Sequence, residues 1–143
     1  MTADDPYRLA RFVEAQDAGG AFENALDELH RGRKTSHWMW FVFPQIAGLG
    51  HSQMSRYYAI SSLDEARAYL AHPVLGPRLV ACAAVLATGA RTRAEEVLGE
   101  LDAQKLHSSM TLFARAAPDE PVFQQVLDRQ FAGQADPATD RLV

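Results

Sequence analysis

Helix punctuation recurs along the whole chain with no competing strand signal, and this restricts the fold more than any other feature. Asp5-Pro6 supplies an N-cap and a first-turn proline. Leu9, Phe12, Val13 and Gln16 follow at helical spacing, and Gly19-Gly20 closes that helix and opens the next. Phe22, Ala25, Leu26 and Leu29 form a second apolar stripe. It ends at Gly32, with His30 and Arg31 in the last turn, where the helix dipole favours cations. Ser62-Leu63-Asp64-Glu65 and Thr92-Arg93-Ala94-Glu95 read as capping boxes, and His72-Pro73 breaks the first of those helices. Residues 74–86 are apolar nearly all round and are expected to form the central helix. Asp102 is expected to cap a helix through Ala116, with Leu106, Met110, Leu112 and Phe113 inward. Asp119-Glu120-Pro121 opens another, carrying Val122, Phe123, Val126 and Leu127, and Asp136-Pro137 starts a last turn. No stretch alternates with period two, and no Asn-Gly hairpin or repeat is present. The expectation is all-α: a single compact domain over residues 1–143, with seven to nine helices, several of them short.

One segment resists the helical reading. Both tryptophans, two phenylalanines and a histidine crowd into Lys34-Thr35-Ser36-His37-Trp38-Met39-Trp40-Phe41-Val42-Phe43-Pro44-Gln45. Eight residues without polar alternation suit a buried strand or two turns of buried helix, and periodicity does not choose between them. Helical neighbours favour a short helix with Ser36 as its cap and Pro44 as its stop. Gly48-Leu49-Gly50 then reads as a tight turn, and residues 52–59 as another short helix.

Composition narrows the function. The 143 residues carry a formal net charge of −4, with a pI near 5.7. General nucleic-acid or membrane-surface binding is not expected. Cys82 is the single cysteine, so no intramolecular disulfide forms, and its apolar neighbours predict a small buried hydrophobe. No leader-like segment and no apolar run of about 20 residues occurs, so a cytoplasmic protein is expected. His30, His37, His51, His72 and His107 show no metal-ligand spacing, and neither metal nor cofactor is expected.

Three features could carry chemistry. In the aromatic run, Trp38 and Trp40 beside Lys34 would make a stacking platform with a positive rim, flanked by Ser36, His37 and Gln45. Arg56 and Tyr57 follow closely enough to complete a pocket. Ser108, Ser109 and Thr111 put three hydroxyls in mid-helix, with Lys105 four residues before Ser109 on one face. That suits either a Ser–Lys nucleophile pair or hydroxyls bonded to their own helix backbone.

The segments KTSHWMWFVFPQ (34–45), GLG (48–50), SRYYAISSLDEARAYLAHPVLGPRL (55–79) and KLHSSMTLFA (105–114) resemble the bacterial family called domain of unknown function 1810. The resemblance covers nearly the whole chain. It implies an all-α single domain and no established activity. A fainter similarity links residues 64–99 to helical N-glycosidases acting on ADP-ribosylated nucleotides and riboflavin intermediates. The chain lacks their tryptophan followed by a Glu-His pair.

Two functional expectations follow. The first is a small-molecule pocket protein, with hydrolysis of a nucleotide or ADP-ribose-like ligand as its enzymatic form. His37, Lys105 and Ser109 are its catalytic candidates; Lys34, Ser36, Trp38, Trp40, Gln45, Arg56, Tyr57 and Ser108 are its ligand-binding candidates. The second is a protein-interaction module, monomeric or homodimeric, with the aromatic run as its contact surface.

Overall fold

The structure, a computed structural model, describes residues 4–89 and 93–143. Among these residues the chain forms eight α-helices of five residues or more and two single turns. They are α1 (Ala10–Asp17), α2 (Ala21–Arg31), the turn α3 (Met39–Val42), α4 (Gln53–Tyr57), α5 (Leu63–Ala71), α6 (Leu75–Ala84), α7 (Ala94–Leu98), α8 (Glu100–Ala116), α9 (Pro121–Gln130) and the turn α10 (Pro137–Asp140). The one β-type pairing among them is an isolated parallel bridge between Ile46 and Ile60. Among the described residues no single helix is long and apolar enough to cross a membrane.

Local chemistry explains most boundaries. Asp5 accepts from the Leu9 and Ala10 N–H groups at the start of α1. Gly19 and Gly20 take positive φ between α1 and α2, and Gly32 does so after α2. Ser52, Ser62, Glu120 and Asp136 each cap the helix that follows with a side-chain oxygen. The Ser62 box is half a box, because Glu65 turns away to Ser61 and Arg11. The expected Thr92 cap of α7 lies outside the described residues.

Three boundary expectations are corrected. Ser36 caps nothing, since its N–H and hydroxyl both go to the Glu28 carboxylate, and helix begins only at Met39. A charge-assisted bond to a buried carboxylate outweighs a local cap. Asp102 lies inside the first turn of α8, which starts at Glu100, and its carboxylate is held by Lys34 and Lys105. The hub of the fold is α8 rather than α6: α5, α7, α9 and α10 all pack on it. At 17 residues it is the longest of the described helices, whereas α6 is built largely of small side chains and runs on into a π-helical turn over Val85–Gly89, as the expected helix over 74–86 requires.

Aromatic rings connect the layers. Phe12 of α1 meets Tyr69 of α5 edge-on, Tyr69 meets Phe113 of α8, and Phe113 meets Phe123 of α9, at centroid separations of 5.1 to 5.7 Å. Gln16 of α1 donates to the Phe41 carbonyl and to Tyr69 and accepts from Arg78, which ties the aromatic run to α5 and α6. Cys82 is buried, and burial pushes its thiol up to about 12.

Helices α5 and α6 meet through Gly76. A Cβ there would lie 2.1 Å from the Leu70 carbonyl oxygen. Backbone cannot yield as a side-chain tip can, so Gly76→Ala is expected to cost at least the usual ~1–3 kcal/mol of overpacking. Urea unfolding checks this, and an unchanged midpoint contradicts the contact.

Candidate functional site

The site is built outward from a buried carboxylate. Glu28 of α2 is 7% exposed. It accepts from Thr35 N (2.7 Å), Ser36 N (3.0 Å), Ser36 Oγ (2.5 Å) and the Trp38 indole Nε1 (2.9 Å). Burial alone would raise this carboxyl. The bonds from Ser36, Thr35 and Trp38 outweigh burial and pull it down to about 2. The first half of the aromatic run is therefore wound around Glu28, and only its second half is helical.

A cleft of about 520 Å³ lies along α8. One wall is the loop carrying Gln45, Leu49 and Gly50, together with Ser55 of α4. The other is the first half of α8, through Leu101, Gln104, Lys105, His107 and Ser108. Asp136 and Ala138 close one end. Gly50 is required at its wall: a Cβ there would lie 2.3 Å from Ser55 Cβ.

Electrostatics divide the cleft. Lys105 donates to Asp102 Oδ1 at 3.1 Å, and Lys34 pairs with Asp102 Oδ2 at 3.0 Å. One carboxylate between two ammonium groups leaves a net positive charge. Lys105 also lies 5.6 Å from the Trp40 ring centroid. At the other end Ser108 Oγ is 2.8 Å from Thr139 Oγ1, which is 2.6 Å from Asp136 Oδ2. His107 stacks on Phe131 with centroids 4.1 Å apart, and its Nε2 is 2.7 Å from the Gln134 carbonyl. A carbonyl only accepts, so Nε2 carries the proton and a neutral ring keeps its lone pair on Nδ1.

Of the expected site residues, Gln45, Lys105 and Ser108 line this cleft, and Lys34 and Trp40 buttress Lys105. Arg56 lines an adjoining pocket of about 140 Å³ that shares Gln45, Gly50 and Ser55 with the cleft. Tyr57 is exposed, and its carbonyl accepts from Arg11. Ser36 is consumed by Glu28. The two-tryptophan platform is not formed: Trp38 is 1% exposed with its N–H on Glu28. His37 is exposed, precedes α3 and lines neither pocket, so it shares no helix face with Trp40. Ser109 is fully buried, and its hydroxyl has no hydrogen-bond partner among the described residues, so it forms no pair with Lys105. Thr111 is the hydroxyl that bonds back to its own helix, at the His107 carbonyl.

Sequence reasoning passed over His107, Gln104 and Asp136. His107 lies between Lys105 and Ser108 in one motif and Gln104 directly precedes it, so that signal was present. Asp136 read only as a cap, because its proximity to α8 arises from tertiary packing. Among the described residues no group of three or more His, Cys, Asp or Glu stands close enough to hold a metal.

A family model described as a protein of unknown function (DUF1810) matches residues 6–143. The crystal structure of the conserved hypothetical protein Rv1873 from Mycobacterium tuberculosis is similar at 46% identity, with a TM-score of 0.93. The likeness covers 97% of this chain and 98% of that one. No curated protein matches.

The Glu28 anchor titrates with a definite sign. Its carboxyl lies lower in the folded state than its ordinary 4.5, so its contribution is complete above 4.5 and is lost as pH falls toward about 2. Glu28→Gln is expected to cost about 1–3 kcal/mol at neutral pH and to flatten this acid limb. Urea unfolding across that range checks it, and equal acid dependence in both proteins contradicts it.

Proposed function

The chain belongs to the DUF1810 family, whose description carries no activity, and from that premise we propose that it binds a small polar ligand with an anionic group in the cleft along α8. The carrying observation is the cleft itself. Its 520 Å³ lies within the roughly 300–1,000 Å³ usual for small-molecule sites, and its lining is largely polar, through Gln45, Gln104, Lys105, His107, Ser108 and Asp136. Lys105 supplies the cation for the anionic group. The Lys34–Asp102–Lys105 arrangement, half-buried, holds that charge in place. Nucleotides, ADP-ribose and sugar phosphates are the compounds to test first.

An enzymatic form of this reading changes its proton carrier. His107 lines the cleft with a defined tautomer, so it takes the role the sequence suggested for His37. Ser108 takes the place of Ser109. The interaction-module reading needs an exposed aromatic face on residues 34–45. Trp38, Phe41 and Phe43 are buried and Trp40 is half-buried, which favours the cleft reading over that one.

Thermal shift across those compounds tests the proposal. A ligand at about 100 times its Kd adds about 2.7 kcal/mol of stability and raises the Tm. Lys105→Gln is expected to abolish the shift, Trp40→Ala to weaken it and Ser109→Ala to leave it intact. If no compound shifts the Tm, the cleft is not such a site.

A further inference from the structure

Two hydrogen-bond chains set which way the cleft's hydroxyl and imidazole can bond. The carboxylate of Asp136 only accepts. Thr139 has a single hydroxyl proton, and its Oγ1 lies 2.6 Å from Asp136 Oδ2, so that proton is committed there. Ser108 Oγ is 2.8 Å from the same Thr139 oxygen, so Ser108 is the donor of that bond. Its own proton is thereby drawn away from the cleft; Ser108 is only 2% exposed, so its oxygen keeps its lone pairs for a group seated directly against the cleft wall. The Thr139 backbone N–H also donates to Asp136 Oδ2, at 3.2 Å, which holds the carboxylate in place. His107 behaves alike: Nε2–H is given to the Gln134 carbonyl, and a neutral ring can only accept at Nδ1.

The cleft is therefore polar in a directed sense. Ser108 and Asp136 form an accepting end, and Lys105 forms a donating, cationic end. Ser108 and Lys105 are three residues apart on α8, which puts their Cβ atoms about 5–6 Å apart. We propose that the ligand is a hydroxylated anion of the sugar-phosphate class, its anionic group at Lys105 and its hydroxyl protons donated toward Ser108 and Asp136. This rests on the cleft reading and sharpens it to a specificity: Ser108, oriented through Thr139, selects hydroxyl donors.

Ribose 5-phosphate and n-pentyl phosphate test this by titration calorimetry, since both carry the phosphate and only one carries hydroxyls. Wild-type protein is expected to bind ribose 5-phosphate about tenfold more tightly, the size of one or two hydrogen bonds. Ser108→Ala is expected to erase most of that preference while leaving the affinity for pentyl phosphate unchanged. Thr139→Ser keeps the relay and is expected to keep the preference, which guards against loss through misfolding. Equal binding of the two compounds, or a preference that survives Ser108→Ala, overturns the inference and leaves the anion-binding cleft standing. If neither compound binds wild type, the cleft reading falls and the inference with it.

Discussion

A single buried carboxylate sets the shape of this protein's most unusual segment. Glu28 gathers four donors from Thr35, Ser36 and Trp38, and a hydrogen bond to a charged group contributes about 1.5–3 kcal/mol. Leaving such a carboxylate without its donors would cost more than any of those bonds. The chain after α2 is therefore obliged to wrap around Glu28 before it can turn into α3. That wrapping sends Trp38 into the core and leaves Trp40 beside Lys105. It also delivers Lys34 to Asp102, with the Lys34 N–H on the Val97 carbonyl. The charge balance at one end of the cleft follows from an acid on α2 that never touches the cleft.

A second buried group positions the opposite wall. Arg11 of α1 donates to the Tyr57 and Ala59 carbonyls and pairs with Glu65 at 3.1 Å, both side chains nearly inaccessible. Glu65 in turn holds Ser61 by N–H and hydroxyl. A buried pair of this kind is weak evidence for stability, but breaking one partner is costly, so it specifies where the loop must go. The loop is further located by the Ile46–Ile60 bridge, with the Ile60 N–H on the Gln45 carbonyl. The cleft is thus a gap between α8 and a segment tied down at residues 45–47 and 57–61.

The helical architecture was legible because its signals are local. Caps at Ser52, Ser62, Glu120 and Asp136, and the positive-φ glycines around α2, act within one turn of where they stand in the sequence. The failures share one cause. Ser36 and Asp102 carry good capping side chains, and each is claimed by a partner distant along the chain. Trp38 and Ser109 look functional by type, yet their directions depend on neighbours that no local pattern names. Half of the site was visible for the same reason. Lys105, His107 and Ser108 share one stretch of α8. The Asp136–Thr139 relay reaches them from about thirty residues away, across packing that periodicity does not encode.

We propose that ligand recognition resides in the α8 cleft and not in the tryptophan-rich run itself. Amide and indole chemical shifts during titration with ribose 5-phosphate test it most directly. Perturbations are expected to concentrate at Gln45, Gly50, Gln104, Lys105, His107 and Ser108, with the Trp40 indole N–H moving and the Trp38 indole N–H still. Perturbations centred on His37 and Trp38, with the α8 amides unmoved, would contradict it.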